Sequence, residues 1–387
     1  MTVKDDRMKG RKVRSTGVGG LKIEKTSTLT KAVLLFLAGI LLIEIFVTWN
    51  VTSTINEKSR PADLEIISIS DSRCAECTAA TSLSNLVEEN NNTNVKSARD
   101  VDFSSAEAKN LIDQYHIEKI PAVIATGEFK KDNVVFLWGE LGARMLDSVV
   151  VIEATPPYVN ATNGNKEGLV SLISIVDSTC KDCSSMISFV DSLKQAGVKI
   201  TSERQIEYST QEAQALISSQ DIKRIPAVVL SRDIIAYDDI RQFILQTNGT
   251  ERQGLYAYHA TTPPYLDLQL GKVVGLVSVI YITDNSCADC YDVTQHRAIL
   301  ERFGVSIANE TTYDISSSAG SELKAKYNIT KVPTLIFSPD GAYYAALSQV
   351  WPTVGTIAND GWFIFRSTEA MGTYKDLSSG QVVSSES

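Results

Sequence analysis

Short apolar, β-branched runs recur along the chain. LEIISIS (64–70), LVSLISIV (169–176) and VVGLVSVIYI (273–282) each read as a buried strand, and helical character follows, as over 183–195 in the second. Further on, SAEAKNLIDQYHIEKIPAVI (105–124), TQEAQALISSQDIKRIPAVV (210–229) and SSAGSELKAKYNITKVPTLI (317–336) share one plan of helix, turn and strand around a proline. Their prolines, Pro121, Pro226 and Pro333, keep a period near one hundred and six residues. A serine lies 17 residues before each (Ser104, Ser209, Ser316), and Glu107 and Glu212 predict a capping box in the first two copies. Repetition in this register predicts three copies of one α/β unit.

AVLLFLAGILLIEIFVTW, residues 32–49, breaks the pattern. It is apolar all round apart from Glu44 and just long enough to cross a bilayer as a helix. Residues 1–31 carry nine Lys or Arg against three acidic residues, which predicts a cytoplasmic N-terminus and later residues outside the cytoplasm. A cleaved signal peptide is the competing reading, but no A-x-A site follows the segment. The expected location is the cell membrane, by one pass.

Prolines mark the joins, in ATPPY (154–158) and TTPPY (261–265). The expected organisation is a basic disordered tail over 1–31, a transmembrane helix over 32–49, units over 59–158, 159–265 and 266–378, and a disordered tail over 379–387. With 43% hydrophobic and 21% charged residues, most of the chain is expected to bury a core. The net charge of -9, with basic residues clustered only before the apolar segment, gives no nucleic-acid footprint.

All six cysteines fall in three matched motifs, DSRCAEC, DSTCKDC and DNSCADC: Cys74 and Cys77, Cys180 and Cys183, Cys287 and Cys290. Cysteines at i and i+3 on a helix's first turn lie within disulfide range and can close or open with little backbone movement. Asp71, Asp177 and Asp284, or Ser72, Ser178 and Asn285, are candidate N-caps. That placement gives the first cysteine of each pair the helix dipole and free N–H groups, and so the attacking role. Cys77, Cys183 and Cys290 are then the resolving sulfurs.

Strand, C-x-x-C helix, strand, helix, then Ile/Val-Pro leading into a strand resembles the thioredoxin fold, and KYNITKVPTLIFSPDG (326–341) is the nearest local match. The resemblance implies three tandem thioredoxin-like domains after a single N-terminal transmembrane helix. It also implies that Pro121, Pro226 and Pro333 are cis, in loops that face the disulfide and offer backbone groups to an extended substrate. The family's buried acid on the first strand is replaced by Ser68, Ser174 and Tyr281, and the dipeptides Ala75-Glu76, Lys181-Asp182 and Ala288-Asp289 are not those of well-known members. GLYAYHA (254–260) and GWFIFR (361–366) predict an added strand where a final helix is expected.

Together these features point to a thiol–disulfide oxidoreductase or isomerase acting on protein thiols and disulfides, with a membrane redox partner to recycle the pairs. No nucleotide-binding or metalloprotease motif occurs, so no cofactor is expected. Metal binding ranks lower, because each pair supplies half a tetrahedral shell and no histidine stands beside it. The alternative is a peptide-binding or scaffold protein of the same fold, whose disulfides are structural. A bridge closing so short a loop removes little unfolded-state entropy, which favours redox use.

Overall fold

In a computed structural model of the protein, residues 28–384 are described; the basic segment over 1–27 and the last three residues lie outside them. The first element is a helix, α1 (Thr28–Ser59), ten residues longer at its C-terminal end than the apolar stretch predicts. From residue 32 on its side chains are exposed on every side, as expected of a helix that no protein core covers. Arg60 ends it and pairs with Glu57 and with Glu128 of the following unit.

The first unit runs β1 (Ala62–Ser70), α2 (Ala80–Glu88), β2 (Thr93–Asp102), α3 (Ala106–Tyr115), β3 (Lys119–Ile120), β4 (Ala122–Gly127), α4 (Val135–Glu140), β5 (Arg144–Met145), β6 (Val150–Glu153), β7 (Tyr158–Asn160) and β8 (Lys166–Glu167). The second repeats it: β9 (Leu169–Val176), α5 (Ile187–Gln195), β10 (Lys199–Glu207), α6 (Gln211–Gln220), β11 (Arg224–Ile225), β12 (Ala227–Leu230), α7 (Asp238–Gln246), β13 (Thr250–Arg252), β14 (Leu255–His259), β15 (Tyr265–Asp267) and β16 (Lys272–Val274). The third comprises β17 (Leu276–Thr283), α8 (Gln295–Arg302), β18 (Ser306–Asp314), α9 (Ser318–Lys326), β19 (Lys331–Val332), β20 (Thr334–Phe337), α10 (Ala345–Val354), β21 (Gly355–Ile357), β22 (Phe363–Phe365), β23 (Tyr374–Asp376) and β24 (Val382–Val383).

Each main sheet has five strands, ordered β2-β1-β4-β6-β5 in the first unit and equivalently in the others. Its first two strands are parallel and the rest antiparallel. This is the thioredoxin-like order, a βαβ half joined to an antiparallel half. Alternation along β1 feeds two cores: Ala62, Leu64 and Ile66 pack with α2 and α4, while Ile69 packs on the other face with Ala108 of α3. All three units share a one-residue slip in the parallel pairing, at Leu64/Glu65, Ile200/Ser202 and Val277/Ser278.

Two features depart from the expected plan. The strands expected from GLYAYHA and GWFIFR exist, as β14 and β22, but they are main-sheet members beside β12 and β20. A helix, α7 or α10, precedes each, and no helix ends the unit. The chain instead turns back through the prolines into a three-stranded sheet: β3-β7-β8, β11-β15-β16 and β19-β23-β24. The double prolines therefore lie inside the units, and we draw the joins at Gly168 and Gly275. Strand β24 likewise carries the third unit to Val383, past the expected end of order at 378.

The joins are single residues. Gly168 (φ +86°) and Gly275 (φ +85°) adopt a conformation that L side chains rarely take, and a Cβ there would lie 2.8 and 2.3 Å from the Cβ atoms of Pro156 and Pro263. The Tyr237 hydroxyl donates to the Gly168 carbonyl (2.8 Å) and accepts from the Lys199 N–H (2.9 Å). Tyr344 does the same for Gly275 and Ser306.

Helix caps fall one residue later than expected. Ser105, Thr210 and Ser317 accept from the N–H groups of Ala108, Ala213 and Gly320. Ser104 and Ser316 are instead held in turns by Asp102 and Asp314, and Glu107 and Glu212 pair with Arg99 and Arg204.

Candidate functional site

The cysteine motifs lie in turns ahead of a helix. Helices α2, α5 and α8 begin three, four and five residues after the second cysteine, and none has a side-chain N-cap bond. The expected capping role of Asp71, Asp177 and Asp284, and of Ser72, Ser178 and Asn285, is therefore corrected. Each aspartate closes its own turn: its carboxylate accepts from the N–H of Arg73, Thr179 or Ser286 at 2.9 Å, and its carbonyl accepts from the first cysteine's N–H. With that oxygen committed and the helix starting later, the dipole argument for the first cysteine lapses.

All three pairs are closed disulfides with Cα atoms 5.4 Å apart. Access to the two residues differs. Cys74 is 8% exposed and Cys287 9%, whereas Cys77 and Cys290 are half-buried; in the second unit Cys180 and Cys183 are both half-buried. Cys74 belongs to the core formed by Ile69, Val101 and Ile120, and Cys77 sits at its margin.

In the first and third units the pair meets its proline loop. Pro121, Pro226 and Pro333 follow cis peptide bonds, as the resemblance implies. Cys74, Cys77, Ile120, Pro121 and Val159 line one cleft of about 250 Å³. In the third unit Cys290 Sγ lies 3.9 Å from the Val332 carbonyl oxygen.

The loop's backbone edge is already in use. The two residues before each proline form β3, β11 and β19, which pair antiparallel with β7, β15 and β23: Ile120 opposite Val159, Ile225 opposite Leu266, Val332 opposite Lys375. One further bond extends each ladder, from Ala161 to Glu118, Leu268 to Lys223 and Leu377 to Thr330. Small-sheet residues also brace the cysteine turns. Lys166 pairs with Glu76 at 3.1 Å, the Ser184 N–H donates to the Pro264 carbonyl, and Lys375 Nζ reaches both Asp284 and Ser286 at 2.7 Å. Arg73 holds the Asp71 carboxyl below the usual carboxylate range; burial opposes Lys375 at Asp284, yet that carboxyl too is lowered.

At the family's buried-acid position Ser68 is buried, and the Tyr281 hydroxyl donates to Glu310 at 2.7 Å. Burial and Glu310 push that phenol up, so it stays protonated.

Sequence reasoning missed one network. Tyr291, next to Cys290, donates from its hydroxyl to the Pro333 carbonyl at 2.8 Å and lies 3.0 Å from His296 Nε2. His296 is a core residue, 3% exposed and edge-on to Phe365, with burial lowering its pKa to about 4. Thr78 or Ser184 occupies the place of Tyr291 in the other units, and Leu83 or Phe189 that of His296. That contrast between copies was the available signal.

No family model matches the chain, and a comparison with curated proteins finds no match. Among solved structures it is similar to ERdj5 form II at 10% identity, over 72% of this chain and 38% of that one, with a TM-score of 0.14. Similarity to the alkylhydroperoxide reductase component AhpF from Enterococcus faecalis is 18% identity over 44% of this chain and 82% of that one, TM-score 0.15. Human ERp44 shares 10% identity over 74% of this chain and 81% of that one, TM-score 0.12. The thioredoxin-like fold rests on the chain's own strand order, with C-x-x-C turns and proline loops in place.

Proposed function

We propose that the protein is a membrane-anchored thiol–disulfide oxidoreductase or isomerase, exchanging disulfides with other proteins through Cys74–Cys77, Cys180–Cys183 and Cys287–Cys290. The observation that carries this reading is the threefold recurrence of a C-x-x-C disulfide ahead of an Ile/Val-cis-Pro loop, the two in contact in the first and third units. Exchange needs an accessible sulfur and a sulfur held near it to accept the electron pair, and each turn supplies both. Electrons pass only between sulfurs, so the reaction calls on no cofactor. Pro121, Pro226 and Pro333 form the wall against which substrate lies.

Helix α1 is the anchor, with the basic segment on the cytoplasmic side, the units outside it and a membrane redox partner recycling the pairs. The paired edge before each proline favours a second reading, a scaffold with structural disulfides, since an extended substrate finds those backbone groups engaged.

Redox titration of the full chain in detergent micelles, with differential alkylation and mass spectrometry of each pair, separates the two. Potentials near a secretory poise of about −180 to −210 mV support exchange. Three pairs still oxidised below about −300 mV make the bridges structural and sink the proposal.

A further inference from the structure

We propose that the third unit carries a binding site for a small uncharged aromatic molecule, in the apolar pocket between α8 and α10. The site lies outside the cysteine turns, so it stands or falls independently of the exchange reading.

The lining sets the chemistry. The pocket has a volume of about 290 Å³ and is lined by Leu300 and Phe303 of α8, Val350 and Trp351 of α10, Phe365 of β22 and Met371. His296 is the one lining residue able to carry a charge, and its Nε2 is already held by the Tyr291 hydroxyl. A charged or strongly hydrated ligand would lose its water there without gaining a partner. Depth and access are both present: Leu300, Trp351 and Phe365 are buried, whereas Val350 is exposed and Phe303 and Met371 are half-buried. A cavity of about 150 Å³ lined by Leu, Ile and Phe stays dry and accepts benzene, so this one has room for one or two rings.

Comparison with the second unit identifies the missing shape. There Phe189 stacks on Tyr258, with ring centroids 4.4 Å apart, and Phe243 lies against the same ring at 6.2 Å. His296, Phe365 and Val350 hold the corresponding places. His296 follows Cys290 as Phe189 follows Cys183, and Phe365 and Tyr258 share a register on their strands. Val350 and Phe243 stand at the same distance past the joining tyrosines, Tyr344 and Tyr237. His296 still packs edge-on to Phe365 at 4.6 Å, but the ring of Phe243 is reduced to an isopropyl group.

The third unit also adds a wall. Eight residues join β22 to β23, where five join β14 to β15, and the longer link brings Ala370 and Met371 to the pocket. Its turn is fastened by Lys331 to Glu369 at 2.8 Å and by the Tyr291 N–H to the Thr373 carbonyl at 2.8 Å. A thioether beside Trp351 and Phe365 suits the edge of an aromatic ring. One copy has thus lost a ring and gained a wall around the space, and an aromatic ligand supplies what the second unit supplies from its own chain.

Toluene is the probe. The full chain in detergent micelles, isotope-labelled at its methionine methyl groups, is titrated with toluene and followed by NMR, the other four methionines reporting nonspecific effects. The expected result is a saturable ring-current shift of the Met371 methyl, assigned with Met371→Leu. Val350→Phe, which restores the second unit's residue, is expected to weaken that binding several-fold while the unliganded spectrum stays that of a folded chain. Val354→Phe, one turn along α10, fills the pocket from a second position and carries the comparison if Val350→Phe unfolds. A Met371 shift that only grows in proportion to toluene, as partition into the micelle would give, overturns the site. So does the absence of any shift, or equal affinity in the filled variants.

Discussion

Tyr291 shows how one side chain can set a unit apart from its copies. Its hydroxyl ties the third cysteine turn to the proline loop, and Tyr291→Phe leaves a buried His296 nitrogen without its partner. A loss of about 1–3 kcal/mol is expected, read as faster hydrogen exchange across residues 276–383 alone. His296 adds a pH dependence of known sign. Burial holds its folded pKa at about 4 against an ordinary 6.5, so between those values the unfolded chain binds a proton that the folded chain does not. Its stabilising share is whole above pH 6.5 and is lost as pH falls toward 4, about 3 kcal/mol in all. His296→Phe, the residue type of the second unit, should flatten that slope in urea midpoints measured from pH 7 to 4. The cysteines and prolines were legible because their spacing repeats; the caps shifted by one residue because Ser104 and Ser105 look equally suited until Asp102 claims the first.

At the scale of elements, the first strand of each unit was readable from its β-branched run and the order of elements from the thioredoxin resemblance, whereas the polar, exposed β2, β10 and β18 and the small sheets showed no such run. Strands of two or three residues, such as Lys119–Ile120 and Tyr158–Asn160, show no periodicity, and their pairing spans some forty residues of chain. The cysteine helices began late for a local reason: each motif's aspartate builds a turn of its own. The joins give a sharper test. Gly275→Ala places a Cβ against Pro263 and forces a residue with a side chain to φ +85°. It should cost upward of about 2 kcal/mol, seen as a lowered urea midpoint with the third unit affected most. Gly271→Ala, also at positive φ but with open space around it, should cost less, and equal losses would refute the role of the Pro263 contact.

For the whole molecule, the bare flank of α1 and the basic segment before it set an expectation about orientation. In sealed microsomes, protease added outside should spare residues 60–383 and remove the basic segment; digestion of the units would reverse the assigned topology. The single-glycine joins carry a mechanical consequence. Tension applied along the chain passes from β6 through β7 and β8 into β9, and the two-residue ladder between β3 and β7 resists far less than the main sheet. Stretched in optical tweezers, the protein should lengthen first by peeling these hairpins, laying bare the edge before each proline while every five-stranded sheet still holds. A molecule held at the membrane by one end and pulled at the other would thus bare the backbone edge before each proline ahead of any loss of its five-stranded sheets.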